Sequence, residues 1–444
     1  MGSRRRSSAS LERVVILKNH ARRAFEWPGV LLFRRTLSIP MNIDALIATR
    51  ASTINGSGIR RVFEIGASIP PEKKIDLSIG QPDFPVPQPL RDAACRAIQE
   101  GKNGYPLTRG IQELRDSIAA RLRDDVGWTV GPSRLSSSAS DPGVVVTAGT
   151  SGALVLACLA LLNDGDEVII PDPYFVLYPY LAHFANAKAV KCSTYPDFRM
   201  TAARVEPLIT PRTKLVILNS PSNPAGVCNS EQECRELLEL CRRRNIVLLS
   251  DEIYDEFAYS ESRTQPFVGK GERKACASPA RLAGSEDCVL LVRGYGKTYG
   301  VTGWRLGYAA GPRRLIEEMT KLQQYLYVSS PHPLQWGVVG ALELDMSREV
   351  SEYEARRDLV VSTLSKVTDV PLPGGAFYAF VKVPERFGGE HERGERFFQE
   401  AVKRNVLVVP GRTFSQRDTH FRLSFATPLE KLRAGLEVLA DMMR

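Results

Sequence analysis

The chain has 444 residues, 43% hydrophobic, 25% charged and 8% aromatic, with 34 Gly and 29 Pro, the usage of an ordinary globular protein. That excludes a disordered, collagen-like or coiled-coil chain, and no run approaches the ~18 apolar residues of a membrane-spanning helix. The formal charge is +9, but residues 1–40 carry +7 of it, so the excess belongs to one end rather than to a folded face built to grip nucleic acid.

Residues 1–44 read as a basic disordered tail or as a start placed upstream of the true one, with Met41 the alternative beginning. The opening MGSRRRSSAS has the composition of a transit peptide, a reading weighed below those two. The segment lacks the apolar core of a secretory signal, so export is not expected.

From about residue 75 to 330, short β-branched runs alternate with helical patterns. Strands are predicted at Val144–Thr147, Glu167–Ile170, Lys214–Asn219, Ile246–Ser250, Val289–Val292 and Leu306–Ala310, and helices at Gly152–Leu162 and Ser230–Arg243. Runs apolar on both faces, joined by crossover helices, predict an α/β core around a mainly parallel sheet. Residues 133–143 and 260–288 read as loops. After Pro331 a long helical stretch is expected over 333–347, continuing through 349–365. PLPGGAFYAFVKV, a helix near 394–404, a strand near 406–409 and FRLSFA follow, an order that suits a smaller α+β domain. The eight cysteines form no CxxC pair and the five histidines show no ligand spacing, so a reduced cytoplasmic setting without a metal is expected.

Four places carry chemistry. Lys297 lies in GYGKTYGVTGWRLGY, where Gly294, Gly296 and Gly300 leave its ammonium approachable, as a lysine that forms a Schiff base requires. Arg305, eight residues on, has the planar guanidinium that suits phosphate. Asp251 closes the apolar run IVLLSD at a strand's carboxyl end, where it needs a cationic partner such as a protonated pyridine nitrogen. In NSPSNPAG, Asn219 and Asn223 turn the chain and can present an amide to a ring oxygen, and Tyr254 can add a hydroxyl. In VVVTAGTSGALVLA a strand meets Gly149, Thr150, Ser151 and Gly152 and then a helix, a junction of free N–H groups and positive helix dipole that binds phosphate. Taken singly, each also fits a plainer role: a surface lysine in a turn, a helix-capping or Arg-paired aspartate, an Asn-Pro turn, a structural glycine junction. Together they supply every group that an aldehyde-bearing phosphorylated pyridine requires.

These residues resemble those of the class I aminotransferase family, the fold-type I pyridoxal-phosphate enzymes. The resemblance spans about residues 45–440 in family order: IGQPDF, GYPLTRG, TAGTSGA, PDPYFVLY, NSPSNPAG, SDEIYDEF, GKTYGVTGWRLGY, PGGAFY and FRLSFA. It implies a large domain over 81–330 with a mainly parallel seven-stranded sheet, a small C-terminal domain over 331–444, and an arm over 45–80 that joins the small domain. It further implies that Lys297 binds the cofactor aldehyde and, once displaced, moves a proton between Cα and C4′. Asp251 pairs with the pyridine nitrogen, Asn223 and Tyr254 with the phenolic oxygen, and Phe175 stacks on the ring. Gly149, Thr150, Ser151 and Arg305 hold the phosphate, Tyr105 reaches the phosphate of a neighbouring subunit in a homodimer, and Arg422, helped by the Gly80 backbone, clamps the substrate carboxylate.

Two departures stand out. Gly294 and Gly296 replace the serines that many members carry before the lysine, and Ser151 stands where the bacterial aspartate-type branch has a lysine for the acidic side chain. The resemblance therefore implies a ping-pong transaminase whose L-amino acid donor is apolar or aromatic rather than acidic, with 2-oxoglutarate as acceptor. An aspartate aminotransferase and a carbon–sulfur β-lyase of the same fold are the rivals. A cofactor-binding transcription regulator ranks far below them, since 40 basic residues without hydrophobic periodicity are too few for a winged helix. No nucleic acid or membrane partner is expected.

Overall fold

Seven apolar strands build the centre of the protein, and their side chains alternate between two separate cores. Val144, Val146, Ile169, Val216, Leu218, Leu248 and Leu291 bury on one face, and Val145, Val168, Ile170, Leu215, Ile217, Leu249 and Leu290 on the other. Such two-sided burial needs helices on both faces. The computed structural model describes residues 41–130, 141–269 and 273–444. Residues 41–51 belong to one unit and 52–444 to another, and the second holds everything below. The proposed tail up to residue 40, and residues 133–140 of the expected serine-rich loop, lie outside the described residues.

The strands are β1 (Gly143–Ala148), β2 (Glu167–Asp172), β3 (Lys188–Ser193), β4 (Thr213–Asn219), β5 (Val247–Asp251), β6 (Val289–Gly294) and β7 (Leu306–Gly311), in the order β1-β7-β6-β5-β4-β2-β3. All run parallel except β7, which is antiparallel to both neighbours. The sheet is therefore mainly parallel and seven-stranded. Its edge strand β3 (KAVKCS) escapes the sequence pattern because only Cys192 in it is buried.

Helix ends follow their local chemistry. The helix Glu231–Arg244 opens on a capping box, in which the Ser230 hydroxyl accepts from the Glu233 amide at 3.2 Å and the Glu233 carboxylate accepts from the Ser230 amide at 2.7 Å. It closes on three arginines that oppose the dipole, and on Asn245 in the left-handed conformation. The expected loop over 260–288 contains a two-residue strand pair, Gln265–Pro266 with Lys274–Ala275, and short 3-10 turns.

A second, three-stranded antiparallel sheet orders β8 (Tyr378–Lys382), β10 (His420–Ser424) and β9 (Val409–Pro410), with β10 central. Phe377, Phe380, Phe397, Phe414 and Phe421 fill its core. Beside it Ile75–Asp76 pairs in parallel with Val406–Leu407. The strand expected near 406–409 is thus two short pieces in two sheets. The helix expected over 333–347 is also interrupted: His332–Gly337 is followed by a 3-10 turn at Ala341–Glu343, and the next helix begins at Ser347 and ends at Leu364. Gly337 and Gly340 weaken a continuous helix there.

Candidate active site

In a parallel sheet the strand carboxyl ends share one edge, and β7, running the other way, brings its first residues to that edge. Gly149, Asn219, Asp251 and Lys297 follow or end β1, β4, β5 and β6, and Arg305 directly precedes β7. They meet in a cleft of about 330 Å³ lined also by Ile59, Phe63, Gly80, Thr150, Ser151, Phe175, Asn223, Tyr254, Tyr378 and Arg422. Of the site residues that the resemblance implies, only Tyr105 stands apart from this cleft, 88% exposed on a loop.

The phosphate-type junction is built by close backbone approach. Gly149 has φ +68°, and a Cβ there would lie 2.7 Å from the Arg305 guanidinium. A Cβ on Gly307 would fall 2.8 Å from the Gly149 carbonyl carbon and the Thr150 nitrogen. Both positions exclude larger residues. The helix Gly149–Leu161 starts here, so its first N–H groups open toward the Arg305 side chain.

The Lys297 amine is partly buried and donates to the Gly80 carbonyl. Burial, with Arg422 and Arg305 nearby, lowers its pKa to about 8. Asp251 is buried, accepts the Tyr178 hydroxyl at 2.7 Å, and has its pKa raised by burial to about 6. No cation among the described residues pairs with it. The Asn219 amide donates to the Asp251 carbonyl at 2.9 Å, and its oxygen accepts the Asn223 N–H at 2.8 Å, so the NSPSNP turn is pinned to the end of β5.

Arg422, on β10, is fully buried. It donates to the Asn223 side-chain oxygen at 3.1 Å and to the Ser78 carbonyl at 2.8 Å, lies over the Tyr378 ring at 4.4 Å, and leaves its Nε without a partner. Tyr254 and Tyr378 share a hydroxyl contact of 3.1 Å, and Phe175 meets Tyr178 edge-on.

The sequence reading missed Tyr178, Tyr378, Ile59 and Phe63. Tyr178 and Tyr378 close two quoted motifs, PDPYFVLY and PGGAFY, while Ile59 and Phe63 stand four apart on the helix Gly58–Gly66, a spacing that marks one face. It also missed the buried ion cluster behind the site. Arg293 on β6 pairs with Asp125 at 2.6 Å, Glu252 at 2.8 Å and Asp255 at 3.2 Å, and Arg281 joins Asp125 at 2.6 Å.

The sequence profile of the class I and II aminotransferases matches residues 72–439. A probable aspartate aminotransferase of Methanocaldococcus jannaschii is 33% identical, over 89% of this chain and 100% of its own. Aromatic-amino-acid aminotransferase 2 of Thermococcus litoralis is 30% identical, over 90% and 98%. Among solved structures, the aspartate aminotransferase of Thermus thermophilus with maleate superposes with a TM-score of 0.76 at 32% identity, over 89% of this chain and 99% of that one. The chain belongs to the class I and II aminotransferases, and it is a transaminase with the fold-type I architecture.

Proposed function

We propose that the protein uses pyridoxal 5′-phosphate to move an amino group from an L-amino acid to a 2-oxo acid by a ping-pong route, with an apolar or aromatic donor. The observation that carries this reading is the pairing, in one cleft, of a partly buried amine of lowered pKa with a buried carboxyl that has no cation of its own. The residues fit the cofactor: the glycine cradle and Arg305 suit its phosphate, Asp251 lacks the positive partner that a pyridinium offers, and Phe175 lines the wall. Bound there, the cofactor supplies an aldehyde for an amine and an electron sink for the Cα carbanion.

The chain's own groups do the rest. Lys297, with a pKa about 8, has a substantial neutral fraction near neutral pH and can take and return a proton at the substrate Cα. Asp251, held by Tyr178, would keep the ring nitrogen protonated, and Asn223 and Tyr254 would donate to the phenolic oxygen. Arg422 offers a two-pronged grip to the α-carboxylate. The donor preference rests on the lining: Lys297, Arg305 and Arg422 are its only cations and all three are committed, while Ile59 and Phe63 give an apolar wall. An acidic donor is the second reading, favoured by the names of the Methanocaldococcus and Thermus relatives.

We further propose a homodimer in which Tyr105 reaches the partner's phosphate site, and a cytoplasmic location, in keeping with eight unpaired cysteines. No described helix is long and apolar enough to cross a membrane. Substituting Lys297→Ala is expected to abolish turnover and the absorbance of the bound chromophore, and retained transamination would remove the central assignment. Bleaching of that chromophore by a panel of twenty amino acids reads the donor. Pyruvate release from cysteine conjugates without oxo-acid dependence would instead indicate the β-lyase.

A further inference from the structure

Outside the cleft, β10 contributes to a second cavity. It measures about 420 Å³ and is lined by Tyr195, Lys382, Arg393, Arg417, Thr419 and His420, with Asp369 its one carboxylate. None of these residues lines the first cleft. The His420 ring, 9% exposed, stacks on Phe380 at 4.9 Å, and its Nδ1 meets the Thr419 hydroxyl at 2.8 Å. Burial and the three cations Lys382, Arg393 and Arg417 push its pKa down to about 3, so the imidazole is neutral and adds no charge.

Each of the three cations meets a carboxylate at the rim, and the Arg393 Nε also donates to the Gly388 carbonyl at 2.9 Å. Lys382 meets Asp369 at 3.1 Å, Arg393 meets Glu385 at 3.7 Å, and Arg417 meets Glu390 at 3.2 Å, with half or more of each acid's side chain in water. Exposed pairs of this kind hold weakly and yield to a better anion. Arg417 also lies over the Tyr195 ring at 4.7 Å, and Arg393 occupies the first turn of the helix Arg393–Lys403, where the dipole opposes a cation. Positive charge is thus gathered here against local preference, around an aromatic wall and two hydroxyls, Ser193 and Thr419. Two guanidinium forks and an ammonium match a dianion, and the volume exceeds that of a single oxyanion.

We propose that this cavity is a binding site for a phosphorylated, ring-bearing small molecule, separate from the transamination cleft. The probe is phenyl phosphate, titrated calorimetrically into the full chain preloaded with pyridoxal phosphate, so that the glycine cradle is already filled. Saturable binding with a sub-millimolar Kd is expected. Affinity should fall at least about tenfold in the double variant Arg393→Gln/Arg417→Gln and stay unchanged in Arg422→Lys. Should the double variant fail to fold by circular dichroism, Lys382→Gln, at an exposed strand position, must weaken binding about threefold. The proposal is overturned by no saturation up to about 10 mM, by loss in Arg422→Lys alone, by an unchanged Kd in the cavity variants, or by inorganic phosphate binding as tightly, which would mark an adventitious ion only. None of these readouts depends on transamination.

Discussion

Asp251 is a carboxyl kept from water with no cation beside it, and the strain of that arrangement is measurable. Its folded pKa, about 6, lies above the ~3.9 of an unfolded chain. Between those values the folded state binds the proton more tightly, so the apo protein loses stability as pH rises from about 4 to about 6 and does not regain it above. Asp251→Asn should therefore raise the thermal midpoint of the apo protein at pH 7.5, by an amount worth up to about 2–3 kcal/mol, and the gain should shrink as pH falls toward 4 while transamination is lost. Equal midpoints at both pH values would refute this. Tyr178 supplies the one side-chain bond to that carboxyl. Tyr178→Phe should lower kcat about tenfold with little change in KM, read by steady-state kinetics. The sequence marked Asp251 because a charge ends an apolar run. It could not mark Tyr178, because a tyrosine in an aromatic segment carries no sign of which distant carboxyl it meets.

At the level of elements, adjacent strands set the spacing of Asp251 and Lys297. Asp251 ends β5, and β6 beside it, in register Asp251 with Val292, leads into the Lys297 turn. Six of the seven large-sheet strands were legible because each is apolar on both faces. β3 was not, because only Cys192 of its six residues is buried and KAVKCS therefore carries no apolar pattern. The helix at Gly149 was legible from its glycines, and its second half-buried hydroxyl, Ser151, sets the donor prediction. Ser151→Lys adds a cation to a lining whose other cations are committed, and should raise kcat/KM for aspartate relative to phenylalanine by about tenfold or more. An unchanged ratio would remove the argument for an apolar donor. The ion cluster at Arg293 was illegible, since Asp125, Arg281 and Glu252 come from distant parts of the chain and each alone looks like a surface charge.

Across the whole molecule, Tyr105, Leu107 and Tyr325 stand 88%, 64% and 86% exposed. The homodimer reading predicts twice the 49.2 kDa chain mass by light scattering, and a fully active single-chain species would refute it. Among the contacts that join the two sheets, Arg422 of the smaller one grips Asn223, in the loop after β4 of the larger, and the Ser78 backbone. On the proposal that Arg422 receives the substrate carboxylate, its unpartnered Nε is the donor free to meet it, while the other two nitrogens stay parked on Asn223 and Ser78. In that reading the empty cleft keeps its anion receptor half engaged, and the guest becomes the rivet between the layers.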